Sequence, residues 1–234
     1  MNNLSLVALA AYLDSYLGSA FIPDDQNGIY RPSERSVKRI GLALEPWTGI
    51  DRWVRQKKLD ALFLHRPWHL DLQTLPADIG ILAYHLAFDL TLTLGYNHRL
   101  ADILQMTHFV PFAYKDNLPL GMLGNIPPTQ ANAFVESLAE IFGTQPVVEK
   151  NTSESVSRIA VVGAMTDSLV RDAAAQDVHL YITGQFRQPA REAVNETGMA
   201  VAVIGHRTCE LWGLRTLASL IRERWSALDV FIAS

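Results

Sequence analysis

Apolar and polar residues alternate along this chain in two periods, one suited to strands and one to helices. Helical spacing comes first, from Leu4 to Leu17, and Gly18 stops it. The polar run Pro23-Asp-Asp-Gln-Asn-Gly28 predicts a turn into a short extended segment, Ile29 to Arg31. Val37 to Leu44 reads as a strand, Trp47 to Lys58 as a helix and Asp60 to His65 as a strand. That order predicts a parallel pair joined by a right-handed crossover. Another strand, Ile79 to His85, precedes Leu94-Gly-Tyr-Asn-His-Arg-Leu-Ala101, a loop entering a helix that ends about Leu104.

Phe109 to Lys115 and Leu118 to Ile126 fit a hairpin turning at Asp116-Asn117. Pro127-Pro128 then predicts the start of a helix to Phe142, since proline suits the first helical position. The last third alternates more regularly. Arg158 to Val162, Val178 to Thr183, Ala200 to Ile204 and Val230 to Ala233 read as strands. Asp167 to Gln176, Gln188 to Thr197 and Thr208 to Arg224 read as the helices between them. The expected class is α/β, with mixed, largely parallel sheets flanked by helices. The softest connector, Glu149-Lys-Asn-Thr-Ser-Glu-Ser155, has no apolar period and puts a seam near 149–157 within one domain over 1–234.

Composition narrows the function. The 234 residues carry a net charge of −4, which gives no electrostatic reason to bind nucleic acid or an anionic membrane. The basic cluster Arg52-Trp-Val-Arg-Gln-Lys-Lys58 reads as the wet face of a helix. One cysteine, Cys209, rules out an internal disulfide and thiolate zinc clusters. No apolar run has membrane-spanning length, and Leu6-Val-Ala-Leu-Ala-Ala11 lacks the basic flank of a signal peptide, so a cytoplasmic location is expected.

Three strands end on histidine: His65, His85 and His206. A carboxylate follows four residues after two of them, as His85-Leu-Ala-Phe-Asp89 and His206-Arg-Thr-Cys-Glu210. In open α/β sheets, ligands collect beyond the carboxyl ends of strands. Imidazole and carboxylate are the donors a divalent cation takes. A partly buried, satisfied imidazole is the ordinary role of any one histidine, and three together with two acids favour a metal site. Glu210 has an ordinary role too, at a helix start where the dipole favours an acid; Asp89 could simply cap a loop. His98, His108 and His179 lack acidic neighbours and read as structural. Cys209 has no evident base beside it for a nucleophilic role.

These stretches resemble the Ngg-interacting-factor-three-like family, whose bacterial members are named type 2 homologues of GTP cyclohydrolase I. The matching segments are Asp25-Gln-Asn-Gly-Ile29, Leu64-His-Arg-Pro67, Ala83-Tyr-His-Leu-Ala-Phe-Asp89 with Leu94-Gly-Tyr-Asn97, Tyr181-Ile-Thr-Gly184 and Gly205-His-Arg-Thr-Cys-Glu210. The resemblance implies two related, intertwined α/β lobes and a hexameric ring of identical chains with paired metals facing its interior. It implies that His65, Asp89, His206 and Glu210 are metal ligands and that His85 lines the same pocket.

Two departures from the family pattern stand out. Arg66 occupies the position of a second adjacent histidine, and Gln185-Phe-Arg-Gln-Pro189 lacks the usual acid and histidine. A guanidinium has only donors and cannot ligate a cation. Two outcomes stay open. One divalent cation (zinc, manganese, iron or magnesium) remains per chain, with Arg66 holding a small anionic ligand in place of the second ion; or the metals are lost and an anion pocket is left. His69, four residues past His65, is a candidate replacement ligand. The functions that follow are a metal-dependent hydrolase of a small phosphorylated or nucleotide-like compound, with Glu210 or His85 handling the proton, or a non-catalytic ring-forming scaffold. A degenerate member whose retained residues are structural is the third reading.

Overall fold

The structure, a computed structural model, describes residues 4–150 and 155–233. In chain order the elements are α1 (Leu6–Leu17), β1 (Asn27–Arg31), β2 (Arg39–Ala43), α2 (Ile50–Lys57), β3 (Ala61–Leu64), β4 (Gly80–Tyr84), α3 (Leu86–Leu92) and α4 (His98–Ile103). There follow β5 (Thr107–Lys115), β6 (Leu118–Gln130), α5 (Ala131–Phe142), β7 (Val147–Glu149), β8 (Ser155–Val162) and α6 (Asp167–Ala174). The chain closes with β9 (Leu180–Thr183), α7 (Arg191–Thr197), β10 (Ala200–Val203), α8 (His206–Arg224) and β11 (Asp229–Ile232). It divides into two units, one ending at Phe88 and resuming at Gly213, the other Asp89–Trp212. The chain crosses between them inside α3 and inside α8. Residues 151–154 of the seam expected near 149–157 lie outside the described residues; β7 and β8, which flank them, both belong to the second unit.

The first unit holds a five-stranded sheet in the order β1-β4-β3-β2-β11. All its pairings are parallel except β1 on β4. Every residue of β3 and β4 is buried, so these strands read as continuous apolar runs. One face packs Leu62, Leu64 and Ile81 against Ile50 and Val54 of α2. On the other face α1 is tied down by Tyr84, whose hydroxyl donates to Asp14 Oδ1 (2.9 Å) and lies 3.1 Å from Ala10 O. Ser5 caps the start of α1 by accepting from the Ala8 N–H, and Gly18, at φ 65°, ends it in the left-handed region.

The second unit holds a six-stranded sheet in the order β5-β6-β8-β9-β10-β7, parallel only through β8, β9 and β10. Successive residues of these strands feed opposite faces, as the pleat requires. Ile159, Val161, Leu180 and Ile182 join Phe134, Leu138, Cys209 and Trp212. Ala160, Val162, Tyr181 and Val201 join Val170, Ala193 and Val194 of α6 and α7. The β5–β6 turn has positive φ at Asp116 (50°) and Asn117 (63°), the conformation a two-residue hairpin loop demands.

Three expectations need correction. Pro127 and Pro128 lie within the last stretch of strand β6 instead of starting a helix, and α5 begins at Ala131. The β6–β8 register shifts between Asn125 and Thr129, so the two residues without N–H groups fall where pairing is already broken. The histidine His206 opens α8, two residues earlier than expected. Asp89 lies in a short helix, α3, where the sequence offered only a loop. Among the described residues no helix is long and apolar enough to cross a membrane.

Candidate metal centre

His65 follows the last residue of β3 and is fully buried. Its backbone N–H donates to Ala43 O, continuing the parallel ladder one step past the strand. Its Nδ1 lies 3.0 Å from the carbonyl oxygen of Tyr84. A carbonyl only accepts, so Nδ1 carries the proton and Nε2 keeps its lone pair. The ring packs on Phe88 (centroids 4.7 Å apart) and on His85 (5.2 Å).

His85 follows the last residue of the neighbouring strand β4 and immediately precedes α3. Its backbone N–H donates to Gln26 O, and its Nδ1 sits 3.0 Å from Asp25 Oδ1. The other Asp25 oxygen accepts the N–H of Leu86, the first residue of α3. Burial works to raise the Asp25 pKa, but the hydrogen bonds from His85 and the Leu86 N–H outweigh it and hold the carboxyl below its ordinary value. An ionised Asp25 only accepts, so His85 also bears its proton on Nδ1. In its neutral form each ring then keeps its lone pair on Nε2, the nitrogen left to ligate a cation.

Asp89 stands one helical turn beyond His85 on α3. His65, His85 and Asp89 each offer one ligand atom, and these atoms lie within 4.8 Å of one another. Two imidazoles oriented by outer hydrogen bonds, with a carboxylate, form a donor set that could hold a divalent cation. The donor chemistry fits the group.

In the second unit, the loop after β10 turns at Gly205, whose φ of 103° only glycine adopts easily. It delivers His206 as the first residue of α8. His206 Nε2 and Glu210 Oε1 are 3.0 Å apart, with the histidine side chain 60% exposed and the glutamate 3%. A Cβ at Gly184, just past β9, would meet His206 Cα at 3.4 Å, an ordinary van der Waals contact. The buried Cys209 thiol is pushed well above its ordinary pKa by burial first, then by the charges of Glu210 and Asp89. A thiol so disfavoured as thiolate is no nucleophile.

Arg66 is mostly buried; its N–H donates to Leu44 O, and its guanidinium reaches Glu45 Oε2 only at 4.0 Å. His69 is exposed, in left-handed backbone at φ 65°, and is not grouped with His65 as a replacement ligand among the described residues. His98, His108 and His179 also fall outside the cluster; His98 packs on Tyr96 and Phe109, and His179 accepts the Ser157 N–H. Sequence reasoning missed the part of Asp25. Its only signal was membership of the matching stretch Asp25-Gln-Asn-Gly-Ile29, because a loop carboxylate leaves no periodicity.

Histidines just past strand ends and helix-borne acids on two mixed sheets define the class: an α/β protein with a histidine–carboxylate cluster that could hold a cation. The chain belongs to the Duf34/NIF3 (NGG1p interacting factor 3) family, whose profile matches residues 9–234. Its relatives include proteins named GTP cyclohydrolase 1 type 2 homolog. One from Neisseria meningitidis is 28% identical over 219 residues, covering 88% of this chain and 85% of its own. One from Halobacterium salinarum is 29% identical over 220 residues, covering 86% of each. Among solved structures, HcgD from Methanocaldococcus jannaschii superposes with a TM-score of 0.77 at 20% identity, over 99% of this chain and 98% of its own. A Bacillus cereus protein related to NIF3 does so at 0.72 and 14%, over 100% and 97%. These likenesses establish the fold.

Proposed function

We propose that this protein is a divalent-metal-dependent hydrolase of small phosphorylated or nucleotide-like compounds, with an altered site holding one cation per chain. The observation that carries the reading is the His65–His85–Asp89 cluster, with both rings fixed as Nδ1–H tautomers. In this reading His65 and Asp89 are ligands, His206 and Glu210 complete the set, and His85 either joins it or handles a proton. A bound divalent cation polarises an anionic substrate oxygen and makes water more acidic. Water adds to phosphorus, the ester P–O bond breaks, and the proton released by water passes to Glu210 or His85 on its way to the leaving oxygen. Arg66, with donors only, orients the anionic group where a second ion would otherwise sit. Family resemblance supports assembly into a ring of identical chains.

A screen of phosphate monoesters, diesters and nucleotides with added zinc or manganese tests the reading. Turnover that disappears with chelator and falls at least about 100-fold in Asp89→Asn supports it. Metal binding without turnover on any class favours the second reading, a non-catalytic metal- or anion-binding scaffold, to which the loss of a histidine at Arg66 already points.

A further inference from the structure

We propose that Asp25 is the positioning residue of the cation site, fixing both the His85 ring and the start of the helix that carries Asp89. This rests on the metal-binding reading above. Its two oxygens do different work: Oδ1 receives the His85 Nδ1–H and Oδ2 receives the Leu86 N–H. The adjacent Gln26 carbonyl receives the His85 backbone N–H, so the loop before β1 grips His85 by main chain and side chain together. Trp68 closes another side of the ring edge-on, 5.0 Å between centroids, and His65 a third at 5.2 Å. His65 takes its orientation from a backbone carbonyl, which no substitution removes. His85 takes its orientation from a side chain, and that makes Asp25 the addressable element of the site.

The chemistry of the carboxylate is what the geometry uses. A neutral imidazole has one N–H, and where it points decides which nitrogen is free for a cation. Asp25 accepts only, so it selects Nδ1–H and leaves Nε2 open. An asparagine has one accepting oxygen and one donating amide. It cannot receive both the ring N–H and the Leu86 N–H, and with its amide toward His85 it selects the opposite tautomer. A merely structural Asp25 would lower stability when changed, with no effect on which ring nitrogen is protonated.

The test combines nitrogen-15 NMR of the histidine rings in metal-free protein with zinc affinity by chelator competition, on wild type and Asp25→Asn. The expected result is an Nδ1–H tautomer at His85 in wild type, shifted toward Nε2–H in the variant. Zinc affinity should fall about 10- to 100-fold with unchanged stoichiometry at saturation. A wild-type His85 protonated on Nε2 overturns the proposal without any variant, so it stays testable if Asp25→Asn fails to fold. A folded variant whose tautomer or zinc affinity matches wild type overturns it also. Wild type that binds no zinc despite the Nδ1–H tautomer sinks the metal reading itself, and the role of Asp25 in it, and is distinguished from the other outcomes by that tautomer.

Discussion

His65 and His206 are both strand-end histidines, yet their surroundings differ. His65 is fully buried with its ring oriented by a carbonyl, whereas His206 is mostly exposed beside a buried glutamate. Both were legible in the sequence because each closes an apolar run. Asp25 was not, since what makes it matter is a contact with His85 sixty residues away in sequence. Cys209 was legible as a poor nucleophile, and the structure supplies the reason. Its thiol is buried among apolar side chains next to two carboxylates, so its pKa is raised and the reactive thiolate is scarce at neutral and mildly alkaline pH. Native protein should therefore be alkylated by iodoacetamide far more slowly than unfolded protein across that range, at least about tenfold. Equal rates in the two states, followed by mass spectrometry, would contradict the placement.

At the scale of elements, the sequence located most strands and helices, misplaced the starts of α5 and α8, and missed α3 and β7. Pro127-Pro128 suited a helix start by local preference, and pairing of β6 with β8 overrode that preference by drawing the prolines into an irregular strand end. Helix α3 was illegible because seven residues carry too few turns for a period to show. Edge strand β7 was hidden for the same reason, three residues long. The turn after α3 depends on Gly95. A Cβ there would fall 2.0 Å from the Leu90 carbonyl oxygen, a backbone atom that cannot swing aside. Gly95→Ala should cost about 1–3 kcal/mol in denaturant unfolding of the metal-free protein. An unchanged midpoint would show that the turn relaxes without strain.

Across the whole molecule, one arrangement recurs in both units. Each is built on a run of parallel strands, and the candidate ligands stand just past strand carboxyl ends: His65 after β3, His85 after β4, His206 after β10. The α/β class and the alternation were readable from hydrophobic period. The return of the chain end to the first sheet was not, because β11 pairs with β2 from the opposite end of the sequence and no local pattern encodes that. Both helices in which the chain passes between units, α3 and α8, bear candidate ligands, Asp89 on one and His206 with Glu210 on the other.

Elemental analysis of protein purified without chelator asks whether the cluster of His65, His85 and Asp89 holds a divalent cation. Wild type should carry about one zinc, manganese or iron per chain, rising toward two in Arg66→His and lost in Asp89→Asn. Metal at background in wild type, with no uptake of added zinc or manganese, would contradict it.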